Sequence, residues 1–200
     1  MITVFLNKFI NKNFFLEIMD PIIILKKYYD EDSYTYKVLI EHSKAVANKA
    51  LEIAKRVPEF NPDLNFIYEF AMLHDIGIYL THAPDIGCYG DKEYICHGYL
   101  GRDILLKENL EKHALACERH LGVGFSKKDI EILKFPLEKK DIFPITIEEE
   151  IVCFADKFFS KNQKNLSEQK SIEKIRKGLS TYGMDKVKKF DHWLIKFKEK

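Results

Sequence analysis

Residues 71–77 read Ala-Met-Leu-His-Asp-Ile-Gly, an apolar helical run that ends on a histidine and an aspartate side by side. This stretch constrains the fold more than any other. An ionised carboxylate among apolar neighbours is costly unless it is paired or bound to a metal. Neighbouring helix residues point about 100° apart, so His74 and Asp75 share a target only at the edge between them, where a metal ion could sit. Gly77 follows at once and is expected to supply the left-handed residue that ends the helix.

Polar residues of the same kind recur on other apolar faces. Between Tyr36 and Val57 the residues Leu39, Val46, Ala50, Ile53 and Val57 repeat at helical spacing, and His42 falls on their face. Pro58 stops that helix. Asn61-Pro62 is expected to open the next, which carries Phe66, Ile67, Phe70, Ala71 and Leu73 into the His74-Asp75 pair. Ile78 to Ile95 reads as a long loop. Helices are expected from His97 to Lys107 and from Leu110 to Leu121, with His97 opening the first and His120 near the end of the second. Ser126-Lys127-Lys128-Asp129 and Thr146-Ile147-Glu148-Glu149 are capping patterns, and the second opens a helix to Phe159 that contains Asp156. From Lys161 to Lys200 the chain is lysine-rich and reads as two amphipathic helices broken near Gly183. No alternating strand pattern competes, so the expected class is all-α.

Two hundred residues, 46% of them hydrophobic, suffice for one core but leave a tail too short for a second domain. The net charge of +1 gives no reason to expect specific nucleic-acid binding or a membrane surface as partner. No apolar run approaches the length of a membrane span. Cys88, Cys96, Cys117 and Cys153 form no CxxC pair and read as free thiols of a reducing cytoplasm, with a Cys88–Cys96 disulfide as the alternative. Residues 1–18 are apolar but broken by lysine and asparagine, and Met19-Asp20-Pro21 looks like a fresh beginning. The domain proper is therefore expected from residue 19, with 1–18 an appendage: a docking helix or the product of an upstream start codon.

A single buried histidine is ordinarily neutral and hydrogen-bonded. Two aspartates, Asp75 and Asp156, together with His42 and His74 on three helices, favour one shared cause. His97 and His120 stand ready to extend the set. Histidine nitrogens and carboxylate oxygens without thiolate suit Fe, Mn, Zn or similar divalent ions. No HExxH helix and no GxSxG elbow is present. A mixed His/Asp site with open positions is a hydrolytic or oxygen-activating design. Cations near these residues, Arg102, Arg119, Lys157 and Lys161, are candidates for a phosphate clamp, Arg119 and Lys157 foremost. For the two lysines the competing reading is a solvated side chain. Asp75 can act as general base if it does not bridge two ions. His82 and Asp85, in the loop, could reach the site opening.

The order His42, His74-Asp75, Asp156 resembles the H…HD…D pattern of the HD-domain phosphohydrolase superfamily, and residues 74–77 spell its HDIG variant. His97, in His97-Gly98-Tyr99-Leu100-Gly101, and His120, in Glu118-Arg119-His120-Leu121-Gly122, resemble the further histidines of its binuclear members. The likeness runs from about Asp20 to Lys161 and extends to small uncharacterised HDIG proteins and, more distantly, to HD-type hydrolases of diadenosine polyphosphates. It implies a compact helical bundle over residues 19–165, with residues 166–200 packing on it. It also implies one divalent ion held by His42, His74, Asp75 and Asp156, and a second, bridged by Asp75, at His97 and His120. The implied activity is hydrolysis of a phosphoester or phosphoanhydride in a small phosphorylated metabolite, a nucleotide or dinucleotide, by a metal-activated hydroxide. A di-iron oxygenase and a metal-binding regulatory module without turnover are the alternatives that the same ligands allow.

Overall fold

The computed structural model describes residues 19–161 and 166–199; the expected appendage at 1–18 and the expected boundary at 165 lie outside them. Most helices start where the sequence offers a side-chain acceptor for an orphaned backbone N–H. Asp20 caps α1 (Pro21–Lys26) and Ser33 caps α2 (Tyr34–Arg56). The third start departs from expectation. Asn61 sits in the left-handed region at the end of a 3-10 turn, and Asp63 caps α3 (Leu64–Leu73), two residues later than the Asn61-Pro62 reading.

The 78–95 segment is more ordered than a loop. Two-residue strands β1 (His82–Ala83) and β2 (Cys88–Tyr89) pair antiparallel between short 3-10 turns. Such a hairpin is too short to leave an alternating pattern. Next come α4 (His97–Lys107) and α5 (Glu111–Arg119), then α6 (Lys127–Leu133) with a complete Ser126/Asp129 capping box. At α7 (Ile147–Asp156) the box is half closed. Thr146 accepts from the Glu149 N–H, while the Glu149 carboxylate reaches past it to the N–H of Ile145. The chain ends in α8 (Ile172–Ser180) and α9 (Met184–Lys196). Among the described residues the architecture is all-α apart from this one hairpin.

Helix α2 packs against α3 and α7, α3 touches α5 and α7, and α4 lies along α5. The largest apolar cluster joins α2, α3 and α7 to the C-terminal helices, with Phe154, Phe190, Trp193 and Phe197 fully buried in it. A second cluster, around Leu25, Leu39, Leu73, Ile76 and Leu105, fills the space between α1, α2, α3 and α4. All four cysteines are buried free thiols.

Gly77 does not end α3 by a left-handed turn, because its φ is −83°. Its lack of a side chain serves a close approach instead. A Cβ there would lie 2.4 Å from the His97 carbonyl oxygen and 2.5 Å from the Gly101 nitrogen. Likewise a Cβ on Gly101 would lie 2.4 Å from Cys117 Sγ. These two glycines let the end of α3, the start of α4 and the end of α5 meet at backbone contact distance.

Candidate metal centre

What meets there is a set of helix ends. His74 and Asp75 directly follow α3, His97 is the first residue of α4, His120 caps the end of α5, and Asp156 is the last residue of α7. Only His42 comes from mid-helix, on α2. A helix C-terminus leaves carbonyl oxygens without partners in its last turn, and two of these histidines use them. His74 Nδ1 lies 2.7 Å from the Ala71 oxygen, and His120 Nδ1 lies 2.5 Å from that of Cys117. His97 Nδ1 stands in the same relation, 2.5 Å from the Tyr94 oxygen. A carbonyl can only accept, so each Nδ1 carries the proton and donates it. Each Nε2 is thereby turned inward, the arrangement by which outer partners fix ligating histidines.

Asp75 divides its two oxygens. Its Oδ2 lies 3.0 Å from His74 Nε2, 3.3 Å from His42 Nε2 and 2.5 Å from Lys161 Nζ. Its Oδ1 faces the other pair, 3.4 Å from His97 Nε2 and 3.6 Å from His120 Nε2. Asp156 completes the first half, with Oδ1 3.0 Å from His42 Nε2 and 3.6 Å from His74 Nε2. Lys157 Nζ holds its other oxygen at 2.8 Å.

These contacts are close but not aligned. Asp75 Oδ1, His74 Nε2 and both ring nitrogens of His42 are buried without a hydrogen bond, and Asp75 Oδ2 has only its ion pair with Lys161. Orphaned polar atoms in such number are rare in a folded interior. A cation among them removes the anomaly. The His97 and His120 Nε2 atoms approach to 3.0 Å. That is close to the separation of two nitrogens sharing one ion through bonds of about 2.1 Å at roughly a right angle. In two groups the ligand atoms all lie within 4.8 Å of one another: His42, His74 and Asp156, and His74, Asp75 and His120. The site can therefore hold metal.

Its electrostatics fit. Burial, reinforced by the neighbouring His120, pushes His97 down to about 3, and burial lowers His120 too, so this pair offers neutral lone pairs. Burial also opposes charge on His74, but Asp75 and Asp156 outweigh it and raise that group to about 9. For Asp75 the desolvation penalty is overcome by His74 and Lys161, and for Asp156 by Lys157 and His42, which holds both carboxyls ionised.

A trough of about 710 Å³ opens on the centre, lined there by Asp75, His97, His120 and Asp156. Lys157 and Lys161 line it; Arg119 does not. Residues 119 and 120 point about 100° apart, so a His120 aimed inward turns Arg119 away, onto Glu149 at 3.2 Å, in a separate hollow of about 370 Å³. Arg102 is likewise taken up by Asp103 and Glu118. His82 and Asp85 are exposed and do not line the trough; the 78–95 segment contributes Tyr94 and Ile95 instead. Sequence reasoning missed Lys170, Lys174 and Lys177 as wall residues. Their spacing of four and three, within a segment noted only as lysine-rich, was the available signal.

The family model described as HD domain matches residues 39–160. An uncharacterised protein of Methanocaldococcus jannaschii is 36% identical over 121 residues, 59% of this chain and 64% of its own length. Proteins named tRNA (cytidine(56)-2'-O)-methyltransferase are similar as well. That of Thermoplasma volcanium is 34% identical over 140 residues, 70% of this chain and 36% of its own length. That of Picrophilus torridus is 32% identical over 127 residues, 63% of this chain and 33% of its own length. This chain therefore spans from a third to just under two thirds of the relatives it matches. No solved structure matches it.

Proposed function

The chain belongs to the HD domain family, and from that premise we propose that it hydrolyses a phosphoester or phosphoanhydride bond of a small phosphorylated metabolite, nucleotide-like in kind. The observation that carries this reading is the division of Asp75, one oxygen toward His42 and His74 and the other toward His97 and His120. A carboxylate facing two separate ligand sets suits a bridge between two divalent ions, with Asp156 completing the first set.

When bound, such ions supply Lewis acidity toward phosphate oxygens and lower the pKa of water. The chain's own residues do the rest. The carbonyls of Ala71, Tyr94 and Cys117 hold three imidazoles in one tautomer. Lys161 and Lys157 flank the two carboxylates and present positive charge to an entering phosphate. No side-chain nucleophile is needed, since phosphoryl transfer depends chiefly on positioning and charge neutralisation. The methyltransferase names belong to proteins of which this chain spans about a third, and methyl transfer is not carried over.

The test is metal analysis of protein purified without chelator, together with a phosphate-ester panel assayed with and without oxygen. Phosphate release that persists anaerobically, with about two ions per chain, supports the reading. Activity that requires oxygen replaces it with an oxygenase. Absence of turnover with metal present reduces it to a binding module.

A further inference from the structure

The trough has two walls of different character. One runs from His120 through Leu121 and Gly122 to Phe125. The other starts at Lys157 and Lys161 and continues through Lys170, Lys174 and Lys177 to Tyr182. Lys170 feels Asp156, Lys157 and Lys161 on one side and Lys174 on the other, which puts it between the centre and α8. Helix α8 has nine residues, and at 1.5 Å per residue it extends the basic wall by about 13 Å. The Tyr182 and Phe125 rings, both in the lining, meet edge-on with centroids 5.7 Å apart.

The positive charge on this wall is unbalanced. Several lysines elsewhere that are largely covered find carboxylates: Lys49 pairs with Glu199, Lys140 with Glu118 and Lys186 with Asp129. Among the described residues no carboxylate pairs with the ammonium groups of Lys170, Lys174 or Lys177, and the last two are exposed. Gly178 is a second, independent sign. Its backbone is helical and a Cβ on it would meet nothing within 4 Å, so neither conformation nor packing calls for glycine. What the missing side chain leaves is open width in the trough, next to Lys174 and Lys177. Lys170, Lys174, Lys177, Gly178 and Tyr182 lie beyond the segment 39–160 that matches the family model, so membership assigns them no role.

We propose that the α8 wall binds an oligophosphate chain, so that the centre acts on a compact substrate carrying further phosphates beyond the one that reacts. Lys170, Lys174 and Lys177 hold those phosphates, Gly178 gives them room, and Tyr182 with Phe125 receives the apolar or planar end of the molecule. The identity of the reacting group rests on the hydrolase reading above; the wall itself needs only the lysines and the trough.

The probe is inorganic tripolyphosphate, titrated against orthophosphate on the metal-loaded full chain, with the metal content of the protein checked after each titration. Two charge contacts worth a factor of a few apiece make tripolyphosphate the tighter ligand by about tenfold. The double variant Lys174→Ala/Lys177→Ala should abolish that preference and leave orthophosphate unchanged. Gly178→Leu should weaken tripolyphosphate with unchanged or higher thermal stability, which separates obstruction from misfolding. Lys55→Ala, at an exposed lysine near the end of α2 that does not line the trough, should change nothing. Equal binding of the two anions, or a preference that survives in Lys174→Ala/Lys177→Ala, overturns the proposal. So does a short oligoribonucleotide that binds more tightly than tripolyphosphate. Lysine-dependent tripolyphosphate binding without hydrolysis of any ester keeps the wall and removes the hydrolase reading. Hydrolysis without that dependence does the reverse.

Discussion

Asp75 concentrates the chemistry of single residues. Replacing it by Asn leaves the shape but removes the charge that both histidine pairs face. Losing a supporting partner already costs a metal site about 10–100-fold, so Asp75→Asn should lower metal content and cut phosphate release at least that much, read by metal analysis and steady-state kinetics. Lys170 gives a pH signature. Burial lowers its ammonium to about 8, and Lys157 and Lys161 push the same way. A lysine depressed in the fold is fully charged only below that value. Tripolyphosphate affinity should therefore weaken as pH rises through about 8, and Lys170→Arg should remove the inflection, because arginine stays charged. The six ligand-type residues were legible because histidine and aspartate are out of place on apolar helix faces. The cations were not. Whether Arg119 or Lys174 faces the trough depends on how α5 and α8 are rotated about their axes, and that is set by contacts distant in sequence.

At the scale of elements the two glycines make opposite predictions. Gly77 lies against backbone atoms of α4 that cannot move aside. Gly77→Ala should destabilise the protein and release metal, because α4 carries His97 out of position. Gly178 lies mid-helix in open space, and alanine there is favoured over glycine by about 0.5–1 kcal/mol. Gly178→Ala should raise the denaturation midpoint by a corresponding amount with metal content unchanged. Both are checked by chemical denaturation alongside metal analysis. Helix existence was readable from apolar spacing and capping residues, as at Ser33, Ser126 and Thr146. The role of Gly77 was not, since its reason is a neighbouring helix rather than its own φ. The β1–β2 hairpin escaped notice because two residues per strand cannot establish a period.

Across the whole molecule the centre ties four helix ends to the middle of α2, and each tie is a candidate ligand. A bound ion stabilises the native state by about 4 kcal/mol at a thousandfold excess over its dissociation constant. For a domain of this size, at about 2–4 °C per kcal/mol, chelation should lower the melting temperature by about 10 °C, and calorimetry with and without chelator measures it. A single variant, Asp75→Asn, should melt like the chelated protein and respond little to added metal.

The order of the ligands along the chain also sets when the centre can exist during synthesis. His42 is made early and Asp156 late, and α7, which carries Asp156, is buttressed by Phe190, Trp193 and Phe197 near the end of the chain. A nascent chain on the ribosome thus exposes isolated histidines with no complete cradle until residue 197 has been added. On the proposed reading, metal capture waits until α9 has been made and docked, and a bound ion reports that α7 and α9 have come together.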